Sequence, residues 1–110
     1  MSETISFEDW QKIDLRVGKI VKVEDIKEAD KLYKLSVDIG SGVRTLCAGI
    51  KQHYSKKELK GKKIIVFTNL APRKIKGIES QGMLLAAVNE SHEQVFLLDP
   101  GKADSGWKIS

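Results

Sequence analysis

Ser55-Lys56-Lys57-Glu58 sits between two strand-like runs, Val43-Arg44-Thr45-Leu46-Cys47-Ala48 and Lys63-Ile64-Ile65-Val66-Phe67-Thr68, and this order decides the fold. Ser55 and Glu58 have the spacing of a capping box, in which each side chain satisfies the other residue's backbone N–H at a helix start. Gly61 stops the helix after one or two turns. The run Lys63–Thr68 is short and continuously apolar, which predicts a strand buried on both faces.

Upstream, Leu15, Val17, Lys19, Val21 and Val23 alternate with Arg16, Gly18, Ile20 and Lys22. That is strand periodicity, and Gly18 within it predicts a bulge or sharp bend. Leu32–Ile39 alternates again, and Gly40-Ser41-Gly42 turns it into the run from Val43 as a hairpin. Ser6, Glu8 and Asp9 mark a short N-terminal helix, with Ser6 as its cap. Downstream, Gly82–Val88 and Gln94–Leu98 read as further strands, and Asp99-Pro100-Gly101 as a turn. Strand, strand, strand, short helix, strand, loop, strand predicts an all-β, five-stranded OB-fold Greek-key barrel. An SH3-like barrel is the competing architecture, and the capped helix after the third strand favours the OB-fold.

The 110 residues predict one domain, with a barrel core at about 14–90 and a C-terminal extension at about 91–110. No apolar run approaches the roughly 18–20 residues of a membrane span. Met1-Ser2-Glu3-Thr4 lacks the pattern of a secretory signal, and the single Cys47 makes no internal disulfide. A cytoplasmic location is the expectation. No enzyme is expected: His53 and His92 have neither metal-ligand nor triad spacing, and no phosphate-cradling or dinucleotide fingerprint is present. By the same reading, neither a metal nor a cofactor is expected.

The net charge is +4, and its distribution says more than its size. Six lysines and one acid lie between Lys51 and Lys63, while acids crowd the first thirty residues. Such a basic middle fits a polyanionic partner. In an OB-fold the first and fourth inter-strand loops flank the binding face, here Asp25–Lys31 and Asn69–Gln81. Pro72 ends the preceding strand and presents Arg73 and Lys74 at the barrel mouth. Ser80 and Gln81 can hydrogen-bond phosphate, 2′-hydroxyl or base edges, or satisfy the loop's own backbone. Met83 is either core or a soft surface for a base, and Asn69 either caps the loop or touches the ligand. Tyr33 is a candidate stacking platform, Phe67 and Phe96 are expected in the core, and Trp10 and Trp107 near the termini suit a dimer interface or packing of the extensions.

Three segments, Asp14-Leu15-Arg16-Val17-Gly18, Ala29-Asp30-Lys31-Leu32-Tyr33 and Asn69–Lys74 through Ser80-Gln81-Gly82-Met83, resemble the tRNA-binding domain family. It includes the C-terminal appendix of methionyl-tRNA synthetase, free-standing β-subunit-like and structure-specific tRNA-binding proteins, and the C-terminal domain of the endothelial monocyte-activating polypeptide precursor. The resemblance runs from about Phe7 to Ile109. It implies an OB-fold, homodimerisation in free-standing members, and tRNA recognised by shape more than sequence. It also allows an aminoacyl-tRNA synthetase as a partner, and implies RNA contact at Asn69, Arg73, Lys74, Ser80, Gln81 and Met83, with Lys31 and Lys34 secondary. Many relatives carry Glu where this chain has Gln81. A secretion-chaperone-like branch differs at Ser80–Met83, so the match there argues against that branch. The alternative function is a chaperone-like or scaffold dimer using the same barrel for protein partners.

Overall fold

A computed structural model describes residues 3–110. Its elements are α1 (Phe7–Gln11), β1 (Leu15–Asp25), β2 (Tyr33–Asp38), β3 (Val43–Ala48), α2 (Lys56–Leu59), β4 (Lys63–Phe67), β5 (Arg73–Ile75), β6 (Ile78–Ser80), β7 (Met83–Leu84), β8 (Ala86–Val88) and β9 (Val95–Leu97). The main sheet runs β3-β2-β1-β4-β7, with β3 brought alongside β6 and β7 to make a nearly closed barrel. This is the OB-like architecture that the element order predicts. No helix of the described residues is long and apolar enough to cross a membrane.

Alternation places Leu35 and Val37 of β2, Leu46 of β3, and Ile64 and Val66 of β4 inside the barrel with no exposed surface. Leu59 of α2 plugs the barrel end and is equally buried. The capping box forms as read: the Ser55 hydroxyl accepts from the Glu58 N–H, and the Glu58 carboxylate accepts from the Ser55 N–H. Those hydrogen bonds hold the Glu58 carboxyl below its ordinary pKa.

Four expectations are corrected. β4 is not buried on both faces; Ile64 and Val66 point inward while Lys63, Ile65 and Phe67 are half-buried on the other side. The bulge of β1 falls at Val21, between Ile20 and Lys22, and not at Gly18. Gly18 and Ile20 face the barrel before it, Val21 is exposed at it, and the phase reverses beyond it so that Val23 packs against the core. Gly18 answers a different need: a Cβ there would lie 2.6 Å from Val37 Cγ1 and 3.0 Å from Val66 Cγ2. Neither Phe67 nor Phe96 is core: Phe67 is half-buried on the outer face of β4, and Phe96 is 62% exposed because β9 turns Leu97 inward instead. Tyr33 is buried, its hydroxyl donating to the Tyr54 carbonyl, so it is no stacking platform.

The C-terminal stretch continues the sheet where β2 leaves β1. Val17 N–H donates to the Trp107 carbonyl, and the Gly106 and Ile109 N–H groups donate back to Val17 and Leu15. Trp107 itself remains 58% exposed.

Candidate nucleic-acid interface

The segment read as a loop from Asn69 to Gln81 contains a β-hairpin. β5 and β6 pair in the register Arg73↔Ser80, Lys74↔Glu79 and Ile75↔Ile78. Lys76 and Gly77 both have positive φ, 51° and 79°, as a tight two-residue hairpin turn requires.

The foot of this hairpin is bound into the barrel. Asn69 Oδ1 accepts from the Asp14 N–H at 2.8 Å, and its Nδ2 donates to the Lys12 carbonyl at 2.6 Å. Beside it, the buried Thr68 hydroxyl donates to the Asp14 carbonyl and carboxylate, and Arg16 Nε donates to the same carboxylate at 3.0 Å. The Thr68 hydrogen bond, then the Arg16 charge, hold the Asp14 carboxyl below the usual range despite partial burial. At the returning end, the edge N–H groups of β3 find side chains in place of a ladder strand. Cys47 N–H donates to Ser80 Oγ and Thr45 N–H donates to Gln81 Oε1, each at 3.0 Å. The Ser80 hydroxyl donates onward to the Gly82 carbonyl, and the Gln81 N–H donates to the Thr45 carbonyl. Arg44 Nη1 spans both ends by donating to the Thr68 and Gln81 carbonyls. Gly82, with φ of 140°, leaves no room for a Cβ, which would lie 2.8 Å from the Phe67 carbonyl oxygen.

The outward cations of β5 and its turn, here called the tip although Arg73 stands directly across from Ser80, are different. Arg73, Lys74 and Lys76 are exposed, and no ion pair engages them among the described residues. Met83 is 46% exposed and joins Cys47, Leu70, Ala71, Arg73, Ile75, Ser80 and Gly82 around a hollow of about 60 Å³. Lys34 lies opposite Cys47 in the β2–β3 register, on the outward face that the hairpin overhangs. Lys31 is exposed just before β2. The eight residues singled out from sequence thus divide. Arg73, Lys74, Met83 and Lys34 present surface on or beside the overhang, while Lys31 is exposed near Lys51, whose N–H bonds its carbonyl. Asn69, Ser80 and Gln81 spend polar atoms on the fold, and Ser80 is buried. Sequence reasoning missed Arg44, whose bonding role no motif marks, and Thr68. Burial pushes the Cys47 thiol above its ordinary pKa, against the Lys34 charge, so it is a protonated thiol at neutral pH. Among the described residues, no three His, Cys, Asp or Glu side chains gather as a metal site.

A rigid, basic hairpin anchored at an OB-fold mouth defines a nucleic-acid-binding class of barrel. The family model "Putative tRNA binding domain" matches residues 15–108, so the chain belongs to the tRNA-binding domain family. The chain is 54% identical over 100 residues to methionine–tRNA ligase of Pyrococcus horikoshii, covering 91% of this chain but 14% of that one. A MetRS-related protein from P. horikoshii superposes with a TM-score of 0.92 at 38% identity, over 99% of this chain and all of that one. The CsaA chaperone protein from Picrophilus torridus superposes with a TM-score of 0.88 at 39% identity, over 97% of this chain and all of that one. Overall identity therefore does not separate the synthetase-related and chaperone-titled branches. As a tRNA-binding domain the chain is non-catalytic in itself.

Proposed function

We propose that the chain acts as a cytoplasmic, non-enzymatic tRNA-binding factor, a trans-acting or β-subunit-like partner of an aminoacyl-tRNA synthetase. Arg73 and Lys74 take backbone phosphates, Lys31 and Lys34 extend the positive surface, and Met83 lies against a base. Asn69, Ser80 and Gln81 serve the grip by fixing the hairpin, and the exposed Asn69 and Gln81 lie beside the RNA. The observation that carries this reading is the contrast between unpaired, exposed cations at the tip and a fully bonded foot. Such a rigid platform loses little entropy on binding. Few exposed aromatics flank it, which fits recognition of folded RNA better than coating of single strands. Held near a synthetase, the module would raise the local tRNA concentration.

Two copies of the chain are proposed to form the working unit. Exposed Phe7 lines a groove of about 230 Å³ with Trp10, Ile13 and Ile109, an apolar surface suited to a second copy. Gel-shift titrations of tRNA against single-stranded DNA of equal length, across salt, test the RNA reading. Tighter and shape-dependent tRNA binding is expected, and equal affinity for the two ligands contradicts it.

A protein-binding role is the second reading, favoured by exposed Phe96 and Val88 on the β8–β9 hairpin and by the likeness to the chaperone-titled structure. Its complexes would resist salt and survive nuclease treatment, whereas RNA-bridged partners would be lost.

A further inference from the structure

The lysine-rich stretch that precedes the hairpin does two separate jobs. Lys51 and Lys56 are consumed internally: both close on Asp25, at 3.0 and 2.7 Å, and Lys51 also lies over the Tyr33 ring. They clamp the end of β1 to the α2 region. Lys60, Lys62 and Lys63 have no ion-pair partner among the described residues, and neither does Lys19. Lys19 and Lys63 stand directly opposite each other in the β1–β4 register. The Gly61 N–H and the Lys62 carbonyl both bond to Ile20, so residues 60–62 lie against the same place on β1. Like charges directly across a ladder destabilise a sheet.

The neighbouring acids offset this only in part. Asp38 faces Lys19 from β2, but its carboxylate accepts from the Gly40 N–H in the turn. Glu58 is hydrogen-bonded in the capping box, and the Lys62 charge reaches its carboxylate. The cluster sets four lysines against these two carboxylates, none of them in an ion pair among the described residues, and is a net positive surface.

This cluster and the hairpin lie at opposite ends of β4, which enters at Lys63 and leaves toward Asn69. Four residue steps of strand separate those ends by about 13 Å. We propose that Lys19, Lys60, Lys62 and Lys63 form a second phosphate-binding surface, which grips the backbone of the same folded RNA that the Arg73–Lys74 hairpin holds. The inference rests on the tRNA reading and adds to it a two-point grip. A folded RNA presents phosphates at both ends of β4 at once and is favoured over a flexible strand that must be ordered to do so.

The test is a salt series of tRNA titrations on the full chain with Lys19→Thr/Lys63→Thr, Arg73→Ala/Lys74→Ala, their combination, and the charge-matched Lys12→Ala/Lys102→Ala. Thermal melts run alongside. The cluster variant is expected to weaken tRNA binding on the order of tenfold and to lower the salt slope by about 0.7–0.9 for each phosphate it no longer neutralises. Its melting temperature should not fall, since a repulsion is removed. The reductions in affinity from cluster and hairpin should multiply in the combination. If the cluster variant binds like the parent, or only as weakly as the charge-matched control, while the hairpin variant is impaired, the second surface is refuted and the tRNA reading stands. If neither variant weakens binding, both are refuted.

Discussion

Within residues 69–83, the tip and the foot of one hairpin treat their polar groups in opposite ways. At the foot, Asn69, Ser80 and Gln81 place their side-chain oxygens on backbone N–H groups of Asp14, Cys47 and Thr45. At the tip, a few residues away, Arg73, Lys74 and Lys76 carry charge to solvent with no ion pair among the described residues. The difference shows how a binding loop can be both exposed and exact in position. Edge N–H groups of β3 need partners, and side chains supply them where a ladder strand would otherwise lie. That closure frees the tip from any structural duty.

Substitutions at the foot should cost stability. Gly82→Ala meets the Phe67 carbonyl oxygen and an unfavourable φ, so a loss of roughly 3 kcal/mol is expected in chemical denaturation. A stability within about 0.5 kcal/mol of the parent would show that the closure tolerates displacement. Ser80→Ala strands the Cys47 N–H and should cost about 1–3 kcal/mol. Its tRNA affinity, measured well below the melting transition, should stay within about twofold, a change of roughly 0.4 kcal/mol. A large drop in affinity with unchanged stability would move Ser80 from the foot to the binding surface.

Gln81→Glu separates the two regions more finely. A carboxylate oxygen can still accept from the Thr45 N–H, so stability should hold. The added negative charge beside the tip should weaken tRNA binding modestly, by about threefold at low salt and less at high salt. The smallest effect concerns acid. The folded-state carboxyls of Asp14, Asp25 and Glu58 are lowered, so the stability they add is present above their ordinary values of 3.8 to 4.5. It is lost as pH falls through the lowered folded values. Melting temperature against pH should decline below about pH 4.5, and Asp14→Asn should flatten that decline.

Much of this was legible in the sequence where local chemistry has one reading. The Ser55–Glu58 capping box and the alternation of Leu35, Val37 and Leu46 marked the helix and the barrel interior. The hairpin in residues 73–80 was hidden because its turn places Lys76, not the usual Asn or Asp, at a positive φ before Gly77. Phe96 was misplaced because a two-residue period does not say which phase faces inward. The β1 bulge at Val21 depends on how β2 registers against it, which no local pattern encodes. At the site, the cations were legible by charge, whereas Ser80 and Gln81 carry the same groups whether they bond RNA or backbone. Only the approach of β3 decides which they meet.

The most direct test is the salt dependence of tRNA binding by Arg73→Ala/Lys74→Ala, paired with its thermal melt. The expected result is an unchanged melting temperature, weaker binding, and a log–log salt slope smaller by about 1.4–1.8. An unchanged slope, or a lost fold, would contradict the assignment of binding to the tip and folding to the foot.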